Sequence, residues 1–114
     1  MPREKLYIQS ARGGGKTTAL MDLAIMNAMA GQYIQVWCAT LPRLDSTFGI
    51  AVKRLQAINC ADGYIETING VRTLTFKLSG GRIEFHRANH DRSLPTPDMS
   101  LHDGDYVGTV IRNG

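Results

Sequence analysis

The sequence predicts an α/β fold, a short parallel βαβ core followed by an antiparallel β-meander. Three observations carry that expectation. A β-like run, a glycine-rich stretch, a helical pattern and a second apolar run follow one another from Lys5 to Ala39, which is the order of a βαβ unit. Beyond Tyr64 the period shortens to two, and Asn69-Gly70 stands where a tight hairpin turn belongs. Finally, 114 residues of which 43% are hydrophobic provide for one core, and their regular recurrence excludes disorder.

Each element has its own local reason. Lys5 to Ser10 (KLYIQS) forms the first strand-like run and leads directly into the glycines. From Thr17 to Ala30, Leu20, Leu23, Ala24, Asn27 and Ala28 fall at helical spacing, and Gly31 is placed to stop the helix. Tyr33 to Ala39 (YIQVWCA) reads as a buried strand, with Tyr33 and Trp37 expected in the core rather than on a base-stacking platform. Asp45 to Asn59 reads as a second helix, capped by Asp45 or Ser46 and burying Phe48, Val52, Leu55 and Ile58. Three short strands follow at Tyr64–Ile68, Val71–Leu78 and Arg82–His86, the middle one drying Leu74, Phe76 and Leu78. Tyr106 to Ile111 (YVGTVI) forms a last strand. The expected organisation is a single domain over 1–114: βαβα over 1–62, the meander over 63–87, a loop over 88–105 and the closing strand over 106–111.

Charge and length narrow the function classes. Thirteen Lys+Arg against ten Asp+Glu leave a net +3, mildly basic and unlike a tail saturated with nucleic acid. The stretch from Ala19 to Ala30 is too short to span a bilayer and is interrupted by Asp22 and Asn27. Cys38 and Cys60 lack the spacing of a disulfide framework, so a buried free thiol at Cys38 and a reducing cytoplasm are expected, with no membrane involvement. A complete nucleotide-driven motor domain needs roughly 150 residues or more. Anything motor-like here is therefore expected to be minimal, truncated or dependent on a partner.

The chemical signal is the segment Ser10-Ala11-Arg12-Gly13-Gly14-Gly15-Lys16-Thr17-Thr18. It matches the phosphate-loop template G-x-x-x-x-G-K-[ST], with Ser10 at the first glycine. Successive glycines let backbone N–H groups point at one centre, and the following helix sets its positive end against the phosphates. Lys16 would reach the β- and γ-phosphates, Thr17 would help hold Mg²⁺, and Thr18 would touch the α-phosphate. Arg12 would approach the γ-phosphate or an adjoining subunit. An Asn-Lys-x-Asp guanine signature is absent, since Asn89-His90-Asp91-Arg92 does not fit it. ATP with Mg²⁺ is accordingly the expected ligand.

On that loop, the chain resembles the N-terminal P-loop portion of a phage terminase large subunit, the ATPase of the DNA-packaging motor. The resemblance continues through the strand ending Val36-Trp37-Cys38-Ala39-Thr40, through Arg54-Leu55 in the second helix, and through Asn69-Gly70 and Arg82-Ile83-Glu84-Phe85. It implies a minimal or truncated P-loop, ASCE-like fold, with ATP-driven movement of double-stranded DNA in an oligomeric ring. The resemblance also calls for a Walker B strand, four apolar residues followed by Asp-Glu. Tyr106–Ile111 matches that strand, but Arg112 and Asn113 stand at the acid positions. Either the Walker B site is degenerate and nucleotide is bound without efficient hydrolysis, or another acid substitutes, with Asp98, Asp103 and Asp105 the nearest candidates. The alternative is a small non-enzymatic phage-encoded protein that regulates or inhibits a host protein.

Two weaker patterns complete the reading. His86, His90 and Asp91 lack further ligands at recognisable offsets, which favours a surface role over a metal site. Lys77, Arg82, Arg87 and Arg92 make the second half locally basic and are candidate contacts to a phosphate backbone. Exposed strand edges in an incomplete sheet favour oligomerisation or pairing with a phage or host partner.

Overall fold

The computed structural model describes residues 4–9, 15–88, 94–104 and 107–113. They form strands β1 (Glu4–Gln9), β2 (Tyr33–Cys38), β3 (Gly63–Ile68), β4 (Val71–Phe76), β5 (Arg82–Arg87), β6 (Met99–Asp103) and β7 (Val107–Arg112). The two helices are α1 (Lys16–Met29) and α2 (Leu41–Ala57). All seven strands make one mixed sheet in the order β1-β7-β6-β2-β5-β4-β3. The α/β class and the β3-β4-β5 meander are as the sequence pattern requires.

The parallel core differs from expectation. β1 and β2 are not hydrogen-bonded to each other, because β7 and β6 lie between them. Parallel pairing instead joins β6, β2 and β5. β7 runs antiparallel to both β1 and β6, so β1 points the same way as the parallel trio. The interval 88–105, expected to be all loop, contains β6. Its buried residues Met99, Leu101 and Asp103 alternate with Ser100 and His102, and five residues of mixed polarity beside Pro95 and Pro97 hide that period in the sequence.

Both helices pack on one face of the sheet. Leu20, Met21, Ala24, Ile25 and Ala28 of α1 meet Ile34 and Val36 of β2, Ile83 and Phe85 of β5, Leu101 of β6 and Val110 of β7 in one core. α2 begins at Leu41, four residues before the expected start. Thr40 is its cap, its hydroxyl accepting from the Arg43 N–H at 3.3 Å, with Pro42 in the first turn. The buried stripe of α2 is Leu44, Thr47, Ala51 and Leu55, while Ile58 stays 48% exposed beyond the helix end. Phe48 adds an edge-to-face contact with Phe85, ring centroids 5.1 Å apart. Arg54 reaches across to Asp22 of α1 at 2.8 and 3.1 Å. Leu78 is 91% exposed, because β4 ends at Phe76 and the chain turns through Ser79-Gly80-Gly81.

That turn is pressed against the C-terminal end of α1. Ser79 donates its hydroxyl to the Ala28 carbonyl at 2.9 Å, and a Cβ on Gly81 would lie 1.8 Å from the same oxygen. Gly108 does the same service for β7, where a Cβ would fall 2.7 Å from Leu20. Each glycine sets how closely the helix layer approaches the sheet.

No described helix covers the opposite face of the sheet. Tyr33 and Trp37 are half-buried there rather than in the core. Trp37 stacks between His86 and His102, with centroids 4.8 and 6.4 Å away. The Trp37 indole N–H donates to Gln35, Gln35 donates to the Tyr33 hydroxyl, and that hydroxyl donates to Glu84 at 2.5 Å. His86 and Arg82 bond the same carboxylate at 2.9 and 3.1 Å. Burial pushes the Glu84 carboxyl up, but the bonds from Tyr33 and His86 and the Arg82 charge outweigh it and hold the group below its ordinary value. Burial is also the main cause that raises the Tyr33 phenol.

Two outcomes follow from this packing. Gly81→Ala should destabilise the domain by about 3 kcal/mol, the upper end for overpacking, in urea unfolding; an unchanged midpoint would contradict the close approach. A depressed Glu84 contributes stability that is complete above the ordinary carboxylate value of 4.5 and is lost as pH falls through its lower folded value. Unfolding midpoints measured from pH 6 to 3 should therefore fall less steeply in Glu84→Gln than in the native chain.

Candidate phosphate-loop site

β1, β6, β2 and β5 all end at the same edge of the sheet, and the candidate site lies there. In open α/β sheets, that carboxyl edge is where ligands bind. Gly15 takes a left-handed conformation (φ 78°, ψ 15°) at the N-cap of α1, a conformation that glycine adopts without steric cost. It delivers Lys16 as the first helical residue. Among the described residues no side chain caps this end of α1, and no acidic residue lies in its first turn; a helix N-terminus presents N–H groups and a positive dipole end to an anion.

A lysine there is electrostatically misplaced unless something compensates. Lys16 is buried, with 6% of its surface exposed, at the end of a helix dipole that repels cations. Compensation comes from β6. The Lys16 ammonium donates to Asp103 Oδ1 and to the Gly104 carbonyl, and the Asp103 side chain is wholly buried. Thr17, the next residue, places its hydroxyl 3.1 and 3.2 Å from the two Asp103 oxygens. Thr47, from the middle of α2, donates to Asp103 Oδ2 at 2.7 Å. A single carboxylate therefore gathers α1, β6 and α2.

The topology explains the reach. One strand, β7, separates β1 from β6, which sets the loop strand and the acid strand about 10 Å apart at ordinary strand spacing. A lysine side chain spans the remaining gap. Cys38 is the register partner of Asp103 on β2 and is a buried free thiol, as expected from the sequence. Burial pushes that thiol up; the Thr47 hydroxyl opposes the shift and the Asp103 charge adds to it.

The other sequence candidates separate clearly. Ser10, Ala11, Arg12, Gly13 and Gly14 lie outside the described residues, as do Asp105, His90, Asp91 and Arg92. Thr18 sits in the first turn of α1, half-buried. Asp98 is at the opposite end of β2, where its carboxylate accepts from the Tyr33 N–H at 2.8 Å. Arg112 and Asn113 are also at that far end, because β7 runs antiparallel: Arg112 pairs with Met99 and Glu4, whereas Gly108 pairs with Asp103. They lie away from Lys16, and the strand Val107–Arg112 does not carry the acid that meets it. Asp103, at the end of β6, is the acid that meets Lys16. Thr47 went unnoticed in the sequence because it is polar, although it lies at helical spacing between Leu44 and Ala51.

Lys77 and Arg82 make cation–aromatic contacts with Tyr64 and Tyr33 at 5.1 and 4.0 Å. Arg87, at the end of β5, is exposed. Among the described residues no three His, Cys, Asp or Glu side chains group to hold a metal directly, and no helix is long and apolar enough to cross a membrane. The chain matches no protein-family model, no curated protein and no solved structure in the three comparisons.

Breaking one side of a buried ion pair costs about 3–5 kcal/mol, whereas replacing both partners by apolar groups costs far less. Asp103→Leu should accordingly destabilise by about 3–5 kcal/mol, and adding Lys16→Met to it should recover part of that loss. Urea unfolding of both variants checks this; a double variant less stable than Asp103→Leu would contradict the pairing.

Proposed function

We propose that this protein binds ATP with Mg²⁺ through a phosphate loop, in the manner of the ATPase part of a phage terminase large subunit, and hydrolyses it poorly. The observation that carries the reading is the convergence of Lys16 and Thr17 on Asp103. A glycine-rich segment, a lysine, a hydroxyl residue and a buried strand-end carboxylate are the parts that phosphate-loop chemistry uses. Lys16 would exchange Asp103 for the β- and γ-phosphates, while the N–H groups of the first turn of α1 face the same charge. Thr17 and Asp103 present hard oxygen donors of the kind that Mg²⁺ accepts. A cation held by Thr17 and Asp103 would supply charge neutralisation to the phosphates.

Poor hydrolysis has a different support from the one expected of Arg112 and Asn113. Asp103 is followed by Gly104, not by the glutamate that would orient water. The sheet face around Trp37, on which no described helix packs, favours one second reading: a non-enzymatic phage-encoded protein that docks on a host partner, the loop being vestigial. Retention of that docking by Lys16→Ala would separate the two. Double-stranded DNA as a partner, an oligomeric state and a bacterial cytoplasmic location belong to the proposal on the strength of the terminase resemblance.

Isothermal titration with ATP and Mg²⁺ tests the first reading. Native protein should bind, and Lys16→Ala should bind about ten- to a hundredfold more weakly, the loss of one charge-assisted contact. Absence of heat with the native chain would overturn it. ATP turnover should stay slow with or without double-stranded DNA.

A further inference from the structure

We propose that Thr47 is the positioning residue that presents Asp103 to the nucleotide-bound cation, an inference that rests on the ATP–Mg²⁺ reading. In the free protein Asp103 has its cation already: the Lys16 ammonium lies on Oδ1. Lys16 serves there as an internal stand-in for a divalent ion. When it swings to the phosphates and Thr17 turns its oxygen to Mg²⁺, the wholly buried carboxylate loses its partners from α1. Among the described residues, the remaining bond is the one from α2. Thr47 is 0% exposed and gives its single hydroxyl proton to Asp103 Oδ2 at 2.7 Å. It thereby fixes one carboxylate oxygen and leaves Oδ1 facing the side from which Lys16 departs.

A buried carboxylate rotates about its final torsion unless a donor pins it, and terminal sp³–sp² torsions are broad. Outer groups that orient ligating carboxylates typically change metal affinity 10–100-fold when removed. Thr47 belongs to neither the glycine-rich segment nor the acid strand, so its contribution should appear in the dependence on Mg²⁺ and not in the affinity for nucleotide alone. The pair Thr47–Asp103 also ties α2 to the site, and loading of the cation would be felt at that helix.

Titrating the native chain, Thr47→Val and Thr47→Ser with ATP, once in Mg²⁺ and once in EDTA, decides the matter. The expected result is that Thr47→Val loses at least tenfold of the Mg²⁺-dependent gain in affinity, with its EDTA affinity unchanged. Thr47→Ser, which keeps the donor, should retain the gain. A Val variant with the native Mg²⁺ gain, or equal losses in Mg²⁺ and EDTA, would overturn the role. So would a Ser variant that loses the gain, and this holds even where the Val variant fails to fold. Failure of the native chain to bind ATP in either buffer would instead remove the nucleotide reading itself, and this role with it.

Discussion

A lysine held inside the protein at the positive end of a helix constrains the remainder of the structure. Lys16 is tolerable there because Asp103 and the Gly104 carbonyl meet it, and Asp103 meets it because β6 ends beside β2 and one strand away from β1. The order of strands, the insertion of β7 in the opposite direction and the closeness of α1 to the sheet at Gly108 all serve that meeting. Buried ion pairs seldom add net stability over an apolar pair of the same shape. Its place at the mouth of a helix N-terminus fits the proposal that an anion takes over the lysine.

The two faces of the sheet divide labour by chemistry. Phe48, Phe76 and Phe85, which carry no polar atom, lie on the helix side. Tyr33 and Trp37 lie on the other, where their polar tips join Gln35, Glu84 and a main-chain oxygen of Pro95 in a continuous set of bonds. Such side chains occupy a surface that is neither dry core nor open solvent. Their bonding to one another ties this face together where no described helix packs on it.

Much of the fold was legible in the sequence, in those stretches where one local rule acted alone. Leu20, Ala24 and Ala28 announced α1, and Asn69-Gly70 announced the β3–β4 hairpin. Where two rules compete, the local pattern misleads. Thr40 and Pro42 start α2 earlier than Asp45 because a cap followed by proline outweighs a later acidic residue. The buried stripe of α2 runs through Thr47, and no scale of apolar residues selects a threonine whose hydroxyl is satisfied by a distant aspartate. β6 was hidden because its five residues include a buried charge, which looks like loop until its partner is known.

The sequence by itself determined that there is one α/β domain, that a glycine-rich segment precedes Lys16 and Thr17 at the head of a helix, and that a meander follows. These are local facts, written in spacing, turn residues and periodicity. Only the tertiary structure decided which acid faces the lysine. Asp103 and Arg112 are nine positions apart, and the sequence leaves Asp103 as one of three candidate acids because strand direction cannot be read from a short apolar run. Pairing β7 antiparallel to β6 carries Arg112 to the far edge of the sheet and leaves Asp103 at the near one. That choice belongs to long-range packing and hydrogen bonding, which no window of neighbouring residues contains.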